Sequence, residues 1–383
     1  MAELPLELFR AIAKEAEKDP SIFALRLVSK TANSVVTPFA FRVVVVRDSV
    51  RSAAAVSFLQ SCEESVAPLV REVIFHGDPV GHTPGDWRDE TSEEDGRNAL
   101  KTAFSGLAKF PNLQNLRLTF HDTYQESSGP DFPPEDSSHF LLLQNEILAA
   151  LAANPVPSGL VSLTLDNLIA VPNDIYYQDN FHRLFRPLKD LAISVISDES
   201  EGWYFQDPIV EFWNHNVAHI VRNATSVTSL TIKSSQPVGA YPALSFENTF
   251  LPHLASLTLH GFVLEPGIPD SDVATFIIRH KATLAHLELR DCSIDGGEDL
   301  VFQRPWHAVL RLFQVELGCL REFVFGGPDL DGNADAVGRD PQFEYTRLDL
   351  GWGYMTCEEE EVEGKEQDLS ALERLLAVVR SRN

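Results

Sequence analysis

Two histidines four residues apart, His215 and His219, lie on a stretch with helical periodicity that would put both imidazoles on one face, as a zinc hydrolase requires. The position of the general-base Glu is Asn216, and no third ligand is evident, so the pair reads as two polar surface histidines. Asp329-Leu-Asp331-Gly-Asn333-Ala-Asp335, with Asp340 at the twelfth place, imitates a calcium loop, but its sixth place is Ala334 where the sharp turn needs glycine. An acidic loop accounts for it better. Cys62, Cys292, Cys319 and Cys357 contain no C-x-x-C pair and read as reduced thiols. Neither a phosphate-cradling glycine loop nor a nucleophile elbow occurs, and the many carboxylates single out no acid–base pair. The expectation is a chain that is not an enzyme and holds no cofactor or metal.

The charge narrows the partners. Across 383 residues, 31 Lys and Arg stand against 56 Asp and Glu, a net charge of −25, which argues against a phosphate-backbone binder and hence against nucleic acid. Hydrophobic residues are 44% and aromatics 9%, enough to bury a core. No segment approaches the roughly 18 apolar residues of a membrane span, and the N-terminus lacks a secretory pattern. No membrane association is expected, and the setting is cytoplasmic and/or nuclear. Asn223-Ala-Thr225 then matches a glycosylation sequon by chance.

The elements that must carry any function announce themselves by repetition. L-x-x-L-x-L occurs with leucine throughout at Leu113/Leu116/Leu118, Leu160/Leu163/Leu165, Leu254/Leu257/Leu259 and Leu284/Leu287/Leu289, where composition alone would give roughly 0.65 matches. Looser copies lie at Val70/Val73/Phe75, Leu188/Leu191/Ile193, Val227/Leu230/Ile232, Leu320/Phe323/Phe325 and Tyr345/Leu348/Leu350. Middle positions step by 43, 47, 28, 39, 27, 30, 36 and 25 residues, which leaves room for a missed strand between Phe75 and Leu116 and between Ile193 and Leu230. In the unit from Leu284 to Ile294, Cys292 occupies the place of a tight, buried turn.

Each x-L-x-L reads as a short strand, and amphipathic stretches at 138–154, 208–223, 272–280 and 305–317 supply covering helices. The fold class is therefore α/β: a curved leucine-rich-repeat solenoid with parallel strands, outer helices and irregular repeat lengths, over residues 48–383. A last helix, 368–381, should cap it with Leu369, Leu372, Leu376 and Val379 inside and Glu373, Arg374, Arg380 and Arg382 outside. Gly77–Gly96, His121–Ser138 and Cys357–Asp368 read as acidic or Pro/Gly-rich loop insertions that keep the chain solvated or meet a basic partner.

Residues 1–47 stand outside the repeat as a small helical domain. Leu4-Pro5, Glu7-Leu8, Ile12, and Leu25-Arg26-Leu27-Val28-Ser29-Lys30 follow one another as a proline-started helix and one or two more. At these residues the sequence resembles an F-box, and Thr37-Pro38-Phe39-Ala-Phe41-Arg42 corresponds to its closing segment, with Phe41 where many members have tryptophan. An F-box followed by leucine-rich repeats is similar to the substrate receptors of SCF-type cullin-RING ubiquitin ligases. The resemblance implies that Leu4, Pro5, Leu8, Ile12, Leu25, Val28 and Phe41 dock on the Skp adaptor, and through it cullin, while the repeats hold a target protein. From the residues alone the segment could instead be a cap on the first repeat, in a non-ligase repeat scaffold. A cap needs a polar outer face, and this segment is rich in large apolar residues.

Side chains alternating with the buried leucines should line the face that meets the target. Among them Arg117, Asp166, Lys233, His260, Glu288, Arg290 and Asp349 are the candidate target-binding residues, a polar and mixed-charge set suited to a protein or peptide.

Overall fold

The chain is seen here as a computed structural model that describes residues 5–16, 21–62, 66–77, 90–121, 139–197, 207–239, 241–264, 272–296, 302, 304–326, 342–349, 353–357 and 362–383. Leu4, Leu350, the calcium-like run 329–340 and the loop residues 78–89, 122–138 and 358–361 lie outside them.

Three helices open the chain: α1 (Leu6–Glu15), the single turn α2 (Ile22–Leu25) and α3 (Lys30–Ala40). Pro5 stands at the N-cap of α1, and the Ser29 hydroxyl accepts the Ala32 amide at 3.0 Å to cap α3. Their shared core is small: Ala13, Ile22, Val36 and Ala40, with Ala16, Leu25, Phe39 and Phe41 against it. The helical segment ends earlier than residue 47. Four consecutive β-branched valines favour an extended chain, and Val43–Arg47 form strand β1, paired in parallel with β2 (Glu72–His76).

Among the described residues twelve strands, mostly paired in parallel, alternate with helices on the connections, so the class is α/β. The chain divides into two compact units inside β4, between Asp166 and Asn167. In the first, β1 and β2 continue to β3 (Asn115–Thr119) and β4 (Ser162–Ile169), with α4 (Val50–Ser61), α5 (Glu90–Ser105) and α6 (His139–Ala152) between them. In the second, β5 (Asp190–Ile196), β6 (Ser229–Val238) and β7 (Ser256–Leu264) pair in parallel. Residues 256–260 of β7 pair with β8 (His286–Arg290); residues 263–264 pair with β9 (Ser293–Asp295). From β8 the ladder passes to β10 (Glu322–Gly326), and from β9 to β11 (Glu344–Asp349) and the antiparallel β12 (Gly353–Thr356). The helices of this unit are α7 (Asp179–Phe185), α8 (Asp207–Glu211), α9 (Ala218–Asn223), α10 (Val273–Arg279), α11 (Trp306–Glu316) and α12 (Asp368–Ser381).

The repetition is physical as well as textual. In the seven units from Val70 to Leu289 all three apolar positions are at most 2% exposed. At the start of seven of the strands, two consecutive amides share one carbonyl of the preceding unit: Arg71 and Glu72 on Arg42, Gln114 and Asn115 on Arg71, Val161 and Ser162 on Gln114. The same pairing recurs from Thr228 and Ser229 on Lys189 through Thr228, Ala255 and Ala285 to Arg321 and Glu322, always at 2.7–3.1 Å. These bonds fix the register, so Leu191, Leu230, Leu257, Leu287 and Phe323 align in one buried row. A fully buried leucine contributes about 1.5–3 kcal/mol relative to an exposed one.

Several expectations change. The long steps hold no extra strand among the described residues, since β2 pairs with β3 and β5 with β6. The acidic run before Gly96 is helical from Glu90, because carboxylates favour a helix N-terminus. On α12 the buried stripe is Ala371, Leu372, Leu375 and Val379; Leu369 is exposed and Leu376 half-buried. Arg382 turns inward, its guanidinium donating to the carbonyls of Gln314, Leu317 and Leu320 at the end of α11.

Candidate functional site

The N-terminal helices bury a small core and leave several large apolar residues outside it. Pro5, Leu8, Ile12 and Val28 are exposed, Leu8 by 51% and Val28 by 67%. Leu8 and Ile12 stand one turn apart on α1, so they share a face. Leu25 and Phe41 take the opposite role: both are half-buried and pack on the small core. Phe41 meets Phe23 edge to face at 5.9 Å, and the Arg26 guanidinium lies 4.6 Å above its ring. Arg26 is fixed by donating to Asn33 Oδ1 and Thr37 Oγ1. Leu6, Phe23 and Leu27, which the docking set left out, are also exposed, Leu27 by 87%. Among the described residues, six of the fifteen exposed large apolar side chains thus fall between Leu6 and Val28.

In the second unit the register gathers the outward strand residues into ranks across β5, β6, β7, β8 and β10. Asp190, Ser229, Ser256, His286 and Glu322 form the first; Ala192, Thr231, Thr258, Glu288 and Val324 the second; Ser194, Lys233, His260, Arg290 and Gly326 the third. Asp190 and Glu322 stand in the first rank, Glu288 in the second, and Lys233, His260 and Arg290 in the third. The array stops where β6 and β7 lose register after Lys233 and His260; Gly261 there has φ +78°, and a Cβ would lie 2.8 Å from Ser234 O.

Burial pushes the Glu288 carboxyl up, but the Arg290 guanidinium, the Thr258 hydroxyl and His286 outweigh it and hold it below the usual range. Burial holds His260 below its usual value, with Lys233 and Arg290 adding and Asp291, 3.6 Å away, opposing. Thus the structure brings Lys233, His260, Glu288 and Arg290 together.

The other candidates stand apart. In the first unit Arg117 donates through Nε and Nη2 to Asp166 Oδ2, at 3.1 and 2.8 Å, and the pair satisfies itself. Asp349 lies on β11, whose partners are β9 and β12; it opposes Gly353 in the antiparallel pair and joins none of these ranks. Its strand departs from the repeat because Tyr345 and Thr346 are both buried there, which breaks the alternation.

Outside these surfaces, His215 is exposed but His219 is half-buried and stacks on His182 at 5.5 Å. A π-helical turn, Phe212–Val217, between α8 and α9 alters the spacing that would have aligned His215 with His219. Two buried polar clusters escaped the sequence. In one, Arg97 Nη1 donates to His139 Nδ1 at 2.9 Å, which leaves Nε2–H to donate to Asp48 at 3.0 Å. In the other, the Tyr345 hydroxyl donates to Asp368 at 2.7 Å and accepts the Trp306 amide at 3.0 Å, while Asp368 also accepts the His307 amide. Burial raises Asp368, which is fully enclosed. Each cluster joins segments distant in sequence, so no local pattern announces it.

All four cysteines are free; burial pushes the Cys292 thiol up to about 12. Among the described residues no group of three or more His, Cys, Asp or Glu could hold a metal ion, and no helix is long and apolar enough to cross a membrane. No protein-family model matches the chain, and no curated protein matches it.

Proposed function

We propose that this protein is a non-enzymatic substrate receptor of an SCF-type ubiquitin ligase, in which the N-terminal helices dock on the Skp adaptor and through it cullin. The strand–helix units are leucine-rich repeats in this reading, and their outward ranks hold a target protein in the cytoplasm or nucleus. The observation that carries it is the exposure of Pro5, Leu8, Ile12, Leu27 and Val28 on helices that already have a core of their own. A cap would turn these side chains onto the first repeat. The shared-carbonyl bonds and the triply buried leucine positions support the repeat reading. The ranks around Lys233, His260, Glu288 and Arg290 offer directional polar contacts suited to a protein surface.

The test is co-purification of the full chain with the Skp adaptor, beside a Leu8→Ala, Leu27→Ala, Val28→Ala variant whose thermal transition is unchanged. A stable complex lost only in the variant is expected. No complex with the wild-type chain overturns the ligase reading and leaves a repeat scaffold.

A further inference from the structure

A second surface on the N-terminal helices differs in chemistry from the apolar face. Between α1 and α3 runs a groove of about 540 Å³, with Leu6, Val35, Pro38 and Phe39 as apolar walls and Arg10 and Lys30 among its lining. Leu6 lies about 200° round α1 from Leu8, so the groove and the exposed Leu8–Ile12 face are separate. Arg10 and Lys30 are exposed, and neither has an ion-pair or hydrogen-bond partner among the described residues. None of the groove's lining residues is acidic, in a chain with 56 acidic residues. Residues 1–42 hold six Lys and Arg against five Asp and Glu, which leaves 25 against 51 in the remainder. A stretch that escapes the overall acidity of this protein therefore carries an open groove with two unpaired cations.

We propose that this groove receives an acidic segment of a partner protein, whose carboxylates meet Arg10 and Lys30 while an apolar side chain lies against Val35, Pro38 and Phe39. Two cations on a chain of net charge −25 are too few to hold a nucleic-acid backbone. A second copy of the chain would bring the same large negative charge and be repelled. The inference rests on the reading of these helices as a docking module, but it concerns another face.

The test uses a fluorescein-labelled peptide of repeated Glu-Glu-Leu, titrated into the full chain by anisotropy, with repeated Lys-Lys-Leu as control. Saturable binding of the acidic peptide alone is expected, weakened about 5-fold or more between low salt and about 0.3 M. Arg10→Glu with Lys30→Glu should weaken it about 10-fold or more. Ser34→Trp, which fills the groove without altering charge, should do the same, while Leu8→Ala with Val28→Ala leaves binding unchanged. Variants are compared only with unchanged thermal transitions. No saturable binding, equal binding of both peptides, indifference to the charge reversal, or self-association of the free chain that Arg10→Glu abolishes would each overturn the proposal. Because the adaptor is absent, failure here leaves the adaptor reading standing, and failure of adaptor capture leaves the groove standing.

Discussion

The N-terminal helices and the strand array invert each other. In the array the large apolar residues are inside, aligned by register and nearly inaccessible. In the helices the interior is Ala13, Ile22, Val36 and Ala40, while Leu8, Phe23, Leu27 and Val28 face solvent. A fold assembled only for its own stability would bury the larger side chains, since stabilisation follows apolar area. The helices therefore hold their shape with a small core and leave much of their apolar area exposed, as the proposed docking role requires.

That contrast breaks most sharply in the array. Leu259→Ala should cost about 2–5 kcal/mol, read as a fall in the denaturation midpoint, because the site is wholly buried between aligned rows. A loss below about 1 kcal/mol would show that the rows are loosely packed. Next in size, Tyr345→Phe strips the Asp368 carboxylate and the Trp306 amide of a buried partner and should cost about 1–3 kcal/mol by the same measurement.

Acidification sharpens the comparison further. Burial holds His219, His260 and His280 below the ordinary histidine value, all in the second unit. His280 is fully used as a neutral ring, donating to Phe276 O and accepting the Leu251 amide. Below about pH 6.5 the unfolded chain binds protons that the folded rings refuse, so stability present above that pH is lost as pH falls. Glu344 and Asp368 are raised by burial and act oppositely: their folded forms take protons first, so their contribution is lost as pH rises from about 4. The midpoint should drop between about pH 7 and 5.5 and flatten below, and a pH-independent midpoint contradicts this balance. The smallest effect is expected at the helices: Leu27→Ser should shift the midpoint by less than about 0.5 kcal/mol. A larger loss would mean that Leu27 supports the fold.

Much of the array was legible because its determinant is periodic. Three apolar positions at fixed spacing specify a strand and its entry turn, and Phe276, Ile277, Leu310 and Phe313 on the covering helices follow the 3.6-residue rhythm. β1 was missed because Val43–Val46 is a continuous apolar run without alternation, and β9 and β12 because they are too short to show a period. Of the candidate contacts, Lys233, His260, Glu288 and Arg290 lie together on one face, since alternation along a strand predicts side. Asp349 stands apart from them, and nothing local reports that its strand changes partners. Leu25 and Phe41 turned inward because three short helices need some aromatic and aliphatic bulk at their centre.

The paired amides at the start of seven strands also bear on how this chain can change in length. Arg42, Arg71 and Gln114, and later Lys189, Thr228, Ala255 and Ala285, each hand one carbonyl to the next unit, and nothing in that handover depends on how many residues intervene. The spans between units can therefore differ widely while each of these strands starts in phase, so variation in length is absorbed on the helical side. One residue added just after an anchoring amide pair would instead turn every later side chain of that strand to the wrong face. The grammar of the chain is strict over a few residues per unit and permissive everywhere else.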